Sequence, residues 1–546
     1  MRTALTLLAA ATLLAGCATS PAPPPPARAP LKLTILHTND HHGRFWPNAQ
    51  GEYGMAARKT IVDRVRAEVA AAGGHVLFLD GGDVNTGVPE SDLQDAEPDF
   101  LGMNRLGIDA MAVGNHEFDK PPAVLARQRQ WAKFPLLSAN IYQRTPQGLQ
   151  RMFPPYTVFE RGGYRIAVMG LTTDDTAKMV LPAHVEGIEF RKPIDEAARL
   201  LPELRARADM VIAVTHMGHY PNGSRGVNAP GDVEMARALP PGQGPDLIVG
   251  GHSQNPVCML AENRRNPSYV PGEPCAPDRQ NGTWIVQAHE WGKYVGRADF
   301  EVSAGRVELV RYQLIPVNLL RRGADGKPVL AGERVPEDAA MQGFLKPYQD
   351  IGQSRLLVPV GSAEGVLDGD RDRVRRQPTT LGTLLARAMR SRTGADLALM
   401  NSGGIRDSLP AGPLTYRDLL KVQPFGNTIS VVRLSGEELL GFLRAAAKMT
   451  PGAGGFAQTA GVRLRIVAGE LELAEVNGRP IDPQASYLLA INNFTATGGD
   501  GYPRLDQHPG HVNTGLVDVE VLREFVARNS PLRPADFEPG DAVIRK

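Results

Sequence analysis

Between residues 31 and 254 one pattern recurs: a short apolar run of strand length gives way to a polar turn, in most cases rich in glycine. Leu31–Leu36 leads into His37-Thr-Asn-Asp40-His41-His42, and His75–Leu79 leads into Asp80-Gly-Gly-Asp83. Ala110–Val113 runs into Gly114-Asn-His-Glu117, and Tyr164–Leu171 into Thr172-Thr-Asp-Asp175. Met210–Val214 precedes Thr215-His-Met-Gly-His219, and Leu247–Val249 precedes Gly250-Gly-His-Ser-Gln254. Short apolar runs bounded by turn signals read as buried strands. Helical patterns such as Met55–Ala72 lie between them, so a layered α/β architecture is predicted. Polar groups just past strand ends are where such sheets place ligand sites.

Around residues 320–355 the texture changes. Arg321-Arg-Gly-Ala-Asp-Gly-Lys327 reads as an exposed turn, and Pro336–Ile351 as a connecting helix. A second α/β region follows, with a helix predicted over Gly382–Arg392 and a strand over Asp396–Met400. The expected division is a first domain over 31–335, a connection over 336–357 and a second domain over 358–546.

Charge excludes one class of partner. Sixty Lys and Arg face 59 Asp and Glu, so no net positive field would collect the backbone of a nucleic acid polymer. No apolar run reaches the roughly 18–20 residues that would span a bilayer. Residues 1–16 have signal-peptide form: Arg2 is their single charge, and Ala4–Ala15 is apolar but too short to span. The stretch ends Leu14-Ala-Gly-Cys17, which resembles a bacterial lipobox, so Cys17 is the expected lipidation site. Pro21-Ala-Pro-Pro-Pro-Pro-Ala-Arg-Ala-Pro30 then reads as an extended spacer. The expected location is the periplasmic side of the cell envelope, with membrane contact only through that lipid. Setting Cys17 aside leaves Cys258 and Cys275, an even pair in an oxidising compartment. A bridge between them would contribute on the order of 3 kcal/mol in the chain-entropy view.

A lone His at a strand end is more often a hydrogen-bonded structural residue than a ligand. Here several strand ends each deliver Asp, His, Asn or Gln. Carboxylate, imidazole and amide oxygen together suit divalent ions such as Mn²⁺, Zn²⁺, Fe²⁺ or Co²⁺, and no thiolate takes part, unlike a structural zinc site. The ordered set D-x-H at Asp40–His42, G-G-D at Asp83, G-N-H-E at 114–117, His216 and G-H at His252 resembles the calcineurin-like dinuclear metallophosphoesterases. The second half resembles the 5′-nucleotidase C-terminal domain. Together they are similar to the bacterial periplasmic UDP-sugar hydrolase/5′-nucleotidase family, a likeness extended by Asn85–Asp95 and by Val422-Gln-Pro-Phe-Gly426.

The resemblance implies two metal ions, Zn²⁺, Mn²⁺ or Co²⁺. Asp40, His42, Asp83 and Gln254 would hold one; Asp83, Asn115, His216 and His252 would hold the other. Such a pair can lower the pKa of a shared water and clamp phosphoryl oxygens. His116, one residue past a ligand, is expected to stabilise charge on the phosphoryl group. Asp119 lies three residues on and would orient that imidazole if a helical turn begins there. His41 and His219 match no ligand position and are read as supporting residues.

In the second half, Arg371 and Arg375 are four apart, and Arg406 follows a glycine turn at Asn401-Ser-Gly-Gly-Ile. A run such as 369–375 is commonly a charged surface helix, yet Arg forks also match phosphate oxygens. Phe425 and Phe494 sit beside polar, Gly-rich loops, and two such rings can sandwich a base. The resemblance implies Arg371, Arg375 and Arg406 near phosphate, Phe425 and Phe494 on the base, Asp500 on ribose hydroxyls, and Asn427 and Gly454 lining the pocket. The activity it implies is hydrolysis of 5′-nucleotides and UDP-sugars, with the two domains rotating to gate turnover; a monomer is expected, although the sequence carries no oligomer signal. A cyclic 2′,3′-phosphodiesterase/3′-nucleotidase shares the metal motifs and is the enzymatic alternative. A nucleotide-binding receptor is the non-enzymatic one, although a receptor needs no nucleophile-generating metal pair. Cys17→Ser is expected to release the protein from membranes; unchanged processing and retention in the membrane fraction would refute the lipid reading.

Overall fold

The computed structural model describes residues 28–180, 184–220, 229–323, 325–540 and 543–545. The signal-peptide and Cys17 lipidation readings lie outside the described residues.

Two six-stranded sheets build the first half. One has the strand order Arg306–Pro316, Tyr294–Ser303, Leu31–Thr38, His75–Asp80, Ala110–Ala112, Leu136–Leu137. The other has the order Asp278–Gln280, Thr283–Val286, Leu247–Val249, Met210–His216, Tyr164–Thr172, Tyr156–Arg161. Four neighbouring strands of each sheet run parallel, flanked by antiparallel strands. Parallel strands covered on both faces need apolar residues at nearly every position, which explains the unbroken runs in the sequence. Leu31, Leu33 and Ile35 turn inward against Ile166, Val168, Ile212, Val214 and Val249 of the facing sheet. Leu36, on the opposite face of its strand, packs with Ile61, Val62 and Val65 of the helix Met55–Ala71. On the far side of the second sheet, Met169, Val211 and Ala213 pack against Leu200, Leu201 and Leu204 of the helix Pro193–Arg207. The result is four layers, helices outside two sheets.

In the second half the strand order is Ala457–Ala460, Leu397–Asn401, Ser486–Asn492, Thr428–Ser435, His511–Val517. Residues of the helices Thr380–Thr393 and Asp518–Asn529 fill one core. The helix Gly436–Ala447 and the strands Val462–Val467 and Glu470–Val476 contribute to the other. The Ser435 hydroxyl and the Glu438 carboxylate form a reciprocal capping box at the start of Gly436–Ala447.

The helix predicted over Pro336–Ile351 is found at Ala339–Leu356. It starts later because the Asp338 carboxylate accepts from Met341 N at 2.7 Å and caps the first turn. Met341 and Leu345 of this helix join the core of the first half. Cys258 and Cys275 form a disulfide. Among the described residues no helix is long and apolar enough to cross a membrane.

Candidate active site

Parallel register brings the turns together. Thr38 pairs with Asp80 and His216 with Thr172, so consecutive loops leave their sheets side by side. Asp40 N donates to Gly82 O at 2.8 Å and His42 N to Asp83 O at 3.0 Å. Gly81 and Gly251 are where these loops touch backbone to backbone. A Cβ on Gly81 would lie 2.8 Å from Gly250 O, and one on Gly251 would lie 2.7 Å from Gly81 O. Five side chains of the predicted ligand set sit on left-handed backbone: Asp40, His42, Asp83, His252 and Gln254, with φ from 49° to 73°. That conformation is costly for residues with a Cβ and persists where surrounding contacts enforce it.

Asp83 is the common centre. Its Oδ2 lies 2.9 Å from His216 Nε2 and 3.9 Å from both His42 Nε2 and His116 Nε2. Two overlapping groups have their donor atoms within 4.8 Å of one another: His42, Asp83 and His116, and Asp83, His216 and His252. Asp40 Oδ1 is 3.9 Å from His42 Nε2, and Gln254 Nε2 is 2.8 Å from the same nitrogen.

The donor atoms fit cations. Asn115 Oδ1 and His252 Nε2 are buried with no hydrogen-bond partner among the described residues. His42 Nδ1 is satisfied by Asn85 O and Thr86 O at 3.0 and 2.8 Å, which leaves Nε2 to face the site. Burial holds His42 well below the usual imidazole range and His252 at about 3, the neutral form a metal requires. Burial raises Asp40 to about 7, and the Asp83 charge adds to the effect. Burial opposes charge on His216 too, but Asp83 and Asp40 outweigh it and hold that ring at about 10. A cation entering the site would displace this proton.

His116 faces the same space from the 3₁₀ turn His116–Phe118. Its Nδ1 lies 2.5 Å from Asp119 Oδ2, and its ring stacks on Phe425 with centroids 6.2 Å apart and planes 11° from parallel. Burial lowers its basicity, but the Asp119 and Asp83 carboxylates prevail and raise its pKa above the ordinary value.

The second half closes over this cluster. A cleft of about 960 Å³, open mouth included, is bordered by Asp83, Asn115, His116, Asp119, His252 and Gln254 on one side. On the other stand Arg371, Arg375, Arg406, Phe425, Asn427, Gly454, Phe494 and Asp500, the whole predicted substrate set. Arg371 Nη1 donates to Gln254 Oε1 across the two halves. The Arg406 guanidinium lies 5.4 Å from the Phe425 ring centre. Asn401 Nδ2 donates to Asp500 Oδ2 at 2.7 Å. A Cβ at position 454 would lie 2.8 and 2.9 Å from the two Asp500 oxygens, so a larger residue there would displace that carboxylate.

His41 and His219 are spent elsewhere, His41 Nε2 on Asp99 at 2.7 Å and His219 Nε2 on Asp278 at 2.8 Å. Sequence reasoning passed over Met179, Val180, Asn401, Gly403 and Gly404, which also border the cleft. It also passed over the role of Glu117. That buried carboxylate accepts from the backbone N–H of Asp83, Val84, Asn85 and Gly114 at 2.7 to 3.4 Å, tying two site loops together. The signal was its place in Gly114-Asn-His-Glu117, with a side chain too buried to touch substrate. Glu117→Ala leaves four donors without an acceptor and is expected to cost about 3 kcal/mol or more of unfolding free energy and to weaken metal retention. Urea unfolding and metal analysis after gel filtration check this; unchanged values for both would contradict it.

Two family models match the chain: calcineurin-like phosphoesterase over residues 33–256, and the 5′-nucleotidase C-terminal domain over 359–507. Protein UshA of Escherichia coli (strain K12) is 56% identical over 518 residues, covering 94% of each chain. The 5′-nucleotidase of Vibrio cholerae is 52% identical over 536 residues, covering 97% of this chain and 96% of its own. Among solved structures, a 5′-nucleotidase precursor from Thermus thermophilus is 30% identical with a TM-score of 0.75, covering 94% of this chain and 99% of its own. The calcineurin-like match implies a dinuclear divalent-metal site, for which the converging donors are the candidate ligands. The chain belongs to the family of calcineurin-like phosphoesterases that carry a 5′-nucleotidase C-terminal domain, and it is an enzyme that hydrolyses phosphoesters.

Proposed function

We propose that this enzyme hydrolyses 5′-nucleotides to nucleoside and phosphate, and UDP-sugars to UMP and sugar 1-phosphate, in the cell envelope. One observation carries the reading: a single cleft joins a cation-donor cluster to two aromatic rings, Phe425 and Phe494. The names of the relatives, UshA and 5′-nucleotidase, support it.

Asp40, His42, Asp83 and Gln254 would hold one ion, and Asp83, Asn115, His216 and His252 the other. Zn²⁺, Mn²⁺ or Co²⁺ suits this mixture of imidazole, carboxylate and amide oxygen. When bound, the ions acidify water and neutralise charge on phosphoryl oxygens. The remaining work falls to side chains. His116 keeps its proton through the Asp119 contact and donates from Nε2 to a phosphoryl oxygen, where charge grows in the transition state. Arg371, Arg375 and Arg406 bind phosphate oxygens. Phe425 and Phe494 stack the base, Asp500 accepts from the ribose hydroxyls, and Asn427 and Gly454 shape the pocket wall. A stacked base is read through its π face, so several bases are accepted. The metal ligands and the base rings lie on different halves of the chain, so rotation of one half opens the cleft to substrate and product. Cys17, once lipidated, would tether the body to the membrane.

After metal stripping, phosphate release from AMP, GMP and UMP and cleavage of UDP-glucose are expected to vanish, and to return with Mn²⁺, Co²⁺ or Zn²⁺. Faster turnover of 2′,3′-cyclic AMP or 3′-AMP than of 5′-AMP would favour the cyclic-phosphodiesterase reading and reject this one. Asp83→Ala is expected to abolish turnover and lose metal, whereas His116→Asn lowers kcat by roughly 10²-fold or more with metal content intact. Loss of both metals from His116→Asn would overturn the division of roles.

A further inference from the structure

A second cavity of about 1640 Å³, open mouth included, adjoins the cleft at its metal end. Gln254 borders both spaces. The short helix Arg371–Val374 and the two residues after it divide their side chains between them, Arg371 and Arg375 to the first and Asp372 and Arg376 to the second. Phe425, Phe494 and Asp500 border only the first. The second cavity therefore lies apart from the base pocket and meets the cleft at Gln254, a predicted metal ligand.

Its walls differ in chemistry from those of the first. The half-buried Tyr269 and Trp291 supply aromatic surface over the buried Tyr53 and Tyr294. Asn255 and Asn266 supply carboxamides, and Arg265, Lys293 and Arg376 supply cations. Tyr269 and Tyr294 lie with ring centres 6.0 Å apart. Ring faces beside amide and carboxylate groups suit a polyhydroxyl group, whose C–H edges meet the rings and whose hydroxyls meet the polar atoms. A bare phosphate monoester has nothing to place there.

Two devices hold these walls in register with the metal loops. The segment His289–Gly292 carries His289 at φ 68° and Trp291 at φ 62°, left-handed values that a bulky residue seldom takes. It is anchored by Trp291 N donating to Asp40 O at 2.7 Å and by Asn39 Nδ2 donating to His289 O. The opposite wall, with Asn266 and Tyr269, lies inside the loop closed by the Cys258–Cys275 disulfide. That loop has only the two-stranded ribbon Met259–Ala261 with Arg264–Arg265 for regular structure, and it is held by the covalent link together with the packing of Cys258, Cys275 and Tyr269 against Tyr294 and Leu319.

We propose that this second cavity is the subsite for the polyhydroxyl group carried on the far phosphate of a nucleoside diphosphate ester. The inference rests on the proposed UDP-sugar activity and extends it from the bond cleaved to the group released. A diphosphate ester bound with its base between Phe425 and Phe494 crosses the partition at Gln254 and Arg371, and its sugar enters the aromatic chamber.

The test compares kcat/KM for UDP-glucose and UMP in the metal-loaded enzyme. Tyr269→Ala removes a wall, and Leu320→Trp fills the chamber from the side of Leu320, a half-buried lining residue. Each is expected to lower the UDP-glucose to UMP ratio about tenfold, chiefly through KM for UDP-glucose. UMP turnover reports that each variant is folded and loaded. A wild-type enzyme that cleaves UMP but not UDP-glucose overturns the UDP-sugar reading and the subsite with it. A wild type active on both, with variants whose ratio stays within twofold, overturns the subsite alone.

Discussion

Asp83 is buried among three imidazoles, with oxygen-to-nitrogen distances of 2.9 to 3.9 Å. A carboxylate so placed is tolerable only where positive charge or strong donors surround it. Loops that follow separate strands converge because each brings a group this carboxylate can use. Without it, the buried rings of His42, His216 and His252 and the half-buried ring of His116 would be gathered at one point, each disfavouring charge on the next. With it, two overlapping donor groups share one edge.

That convergence strains the backbone. Five residues of the predicted ligand set adopt left-handed φ, at a cost of order 1–3 kcal/mol each. The sheets offset this. Their facing surfaces are closed by side chains that are almost wholly buried, and the loops are pinned at both ends by strands in parallel register. Glu117 is the second restraint: its two oxygens gather N–H groups from two different loops, so neither can relax alone. Glycines at 81 and 251 let the loops approach at backbone distance.

Much of this was legible in the chain itself. The apolar runs marked the parallel strands because covered strands carry no alternation, and the polar turns marked the site because parallel strands end on one edge. Arg371, Arg375, Arg406, Phe425 and Phe494 gave a weak signal of their own that the family resemblance made specific, and Asp500 was readable only through that resemblance. Spacing along the chain says nothing of which loops of one half meet which loops of the other. Glu117 stood in plain view within Gly114-Asn-His-Glu117, yet its work is done through backbone N–H groups that a sequence does not display. Met179 and Val180 reach the cleft with no motif around them. The second cavity was invisible, since its walls are drawn from segments that run from Asn48 to Arg376.

The two halves meet across the cleft at Arg371 and Gln254. On the roles proposed above, one half grips the aromatic end of a ligand and reaches its phosphate through arginines, and the other half holds the metal ligands at its reactive end. The closed enzyme then behaves as a caliper whose jaw spacing is set by folded protein and not by either jaw. A ligand whose phosphorus hangs from a different ribose carbon would rest in one jaw and miss the other. Positional selectivity on the ribose thus becomes a matter of length measured between rigid bodies, with no side chain needed to recognise the 5′ carbon itself.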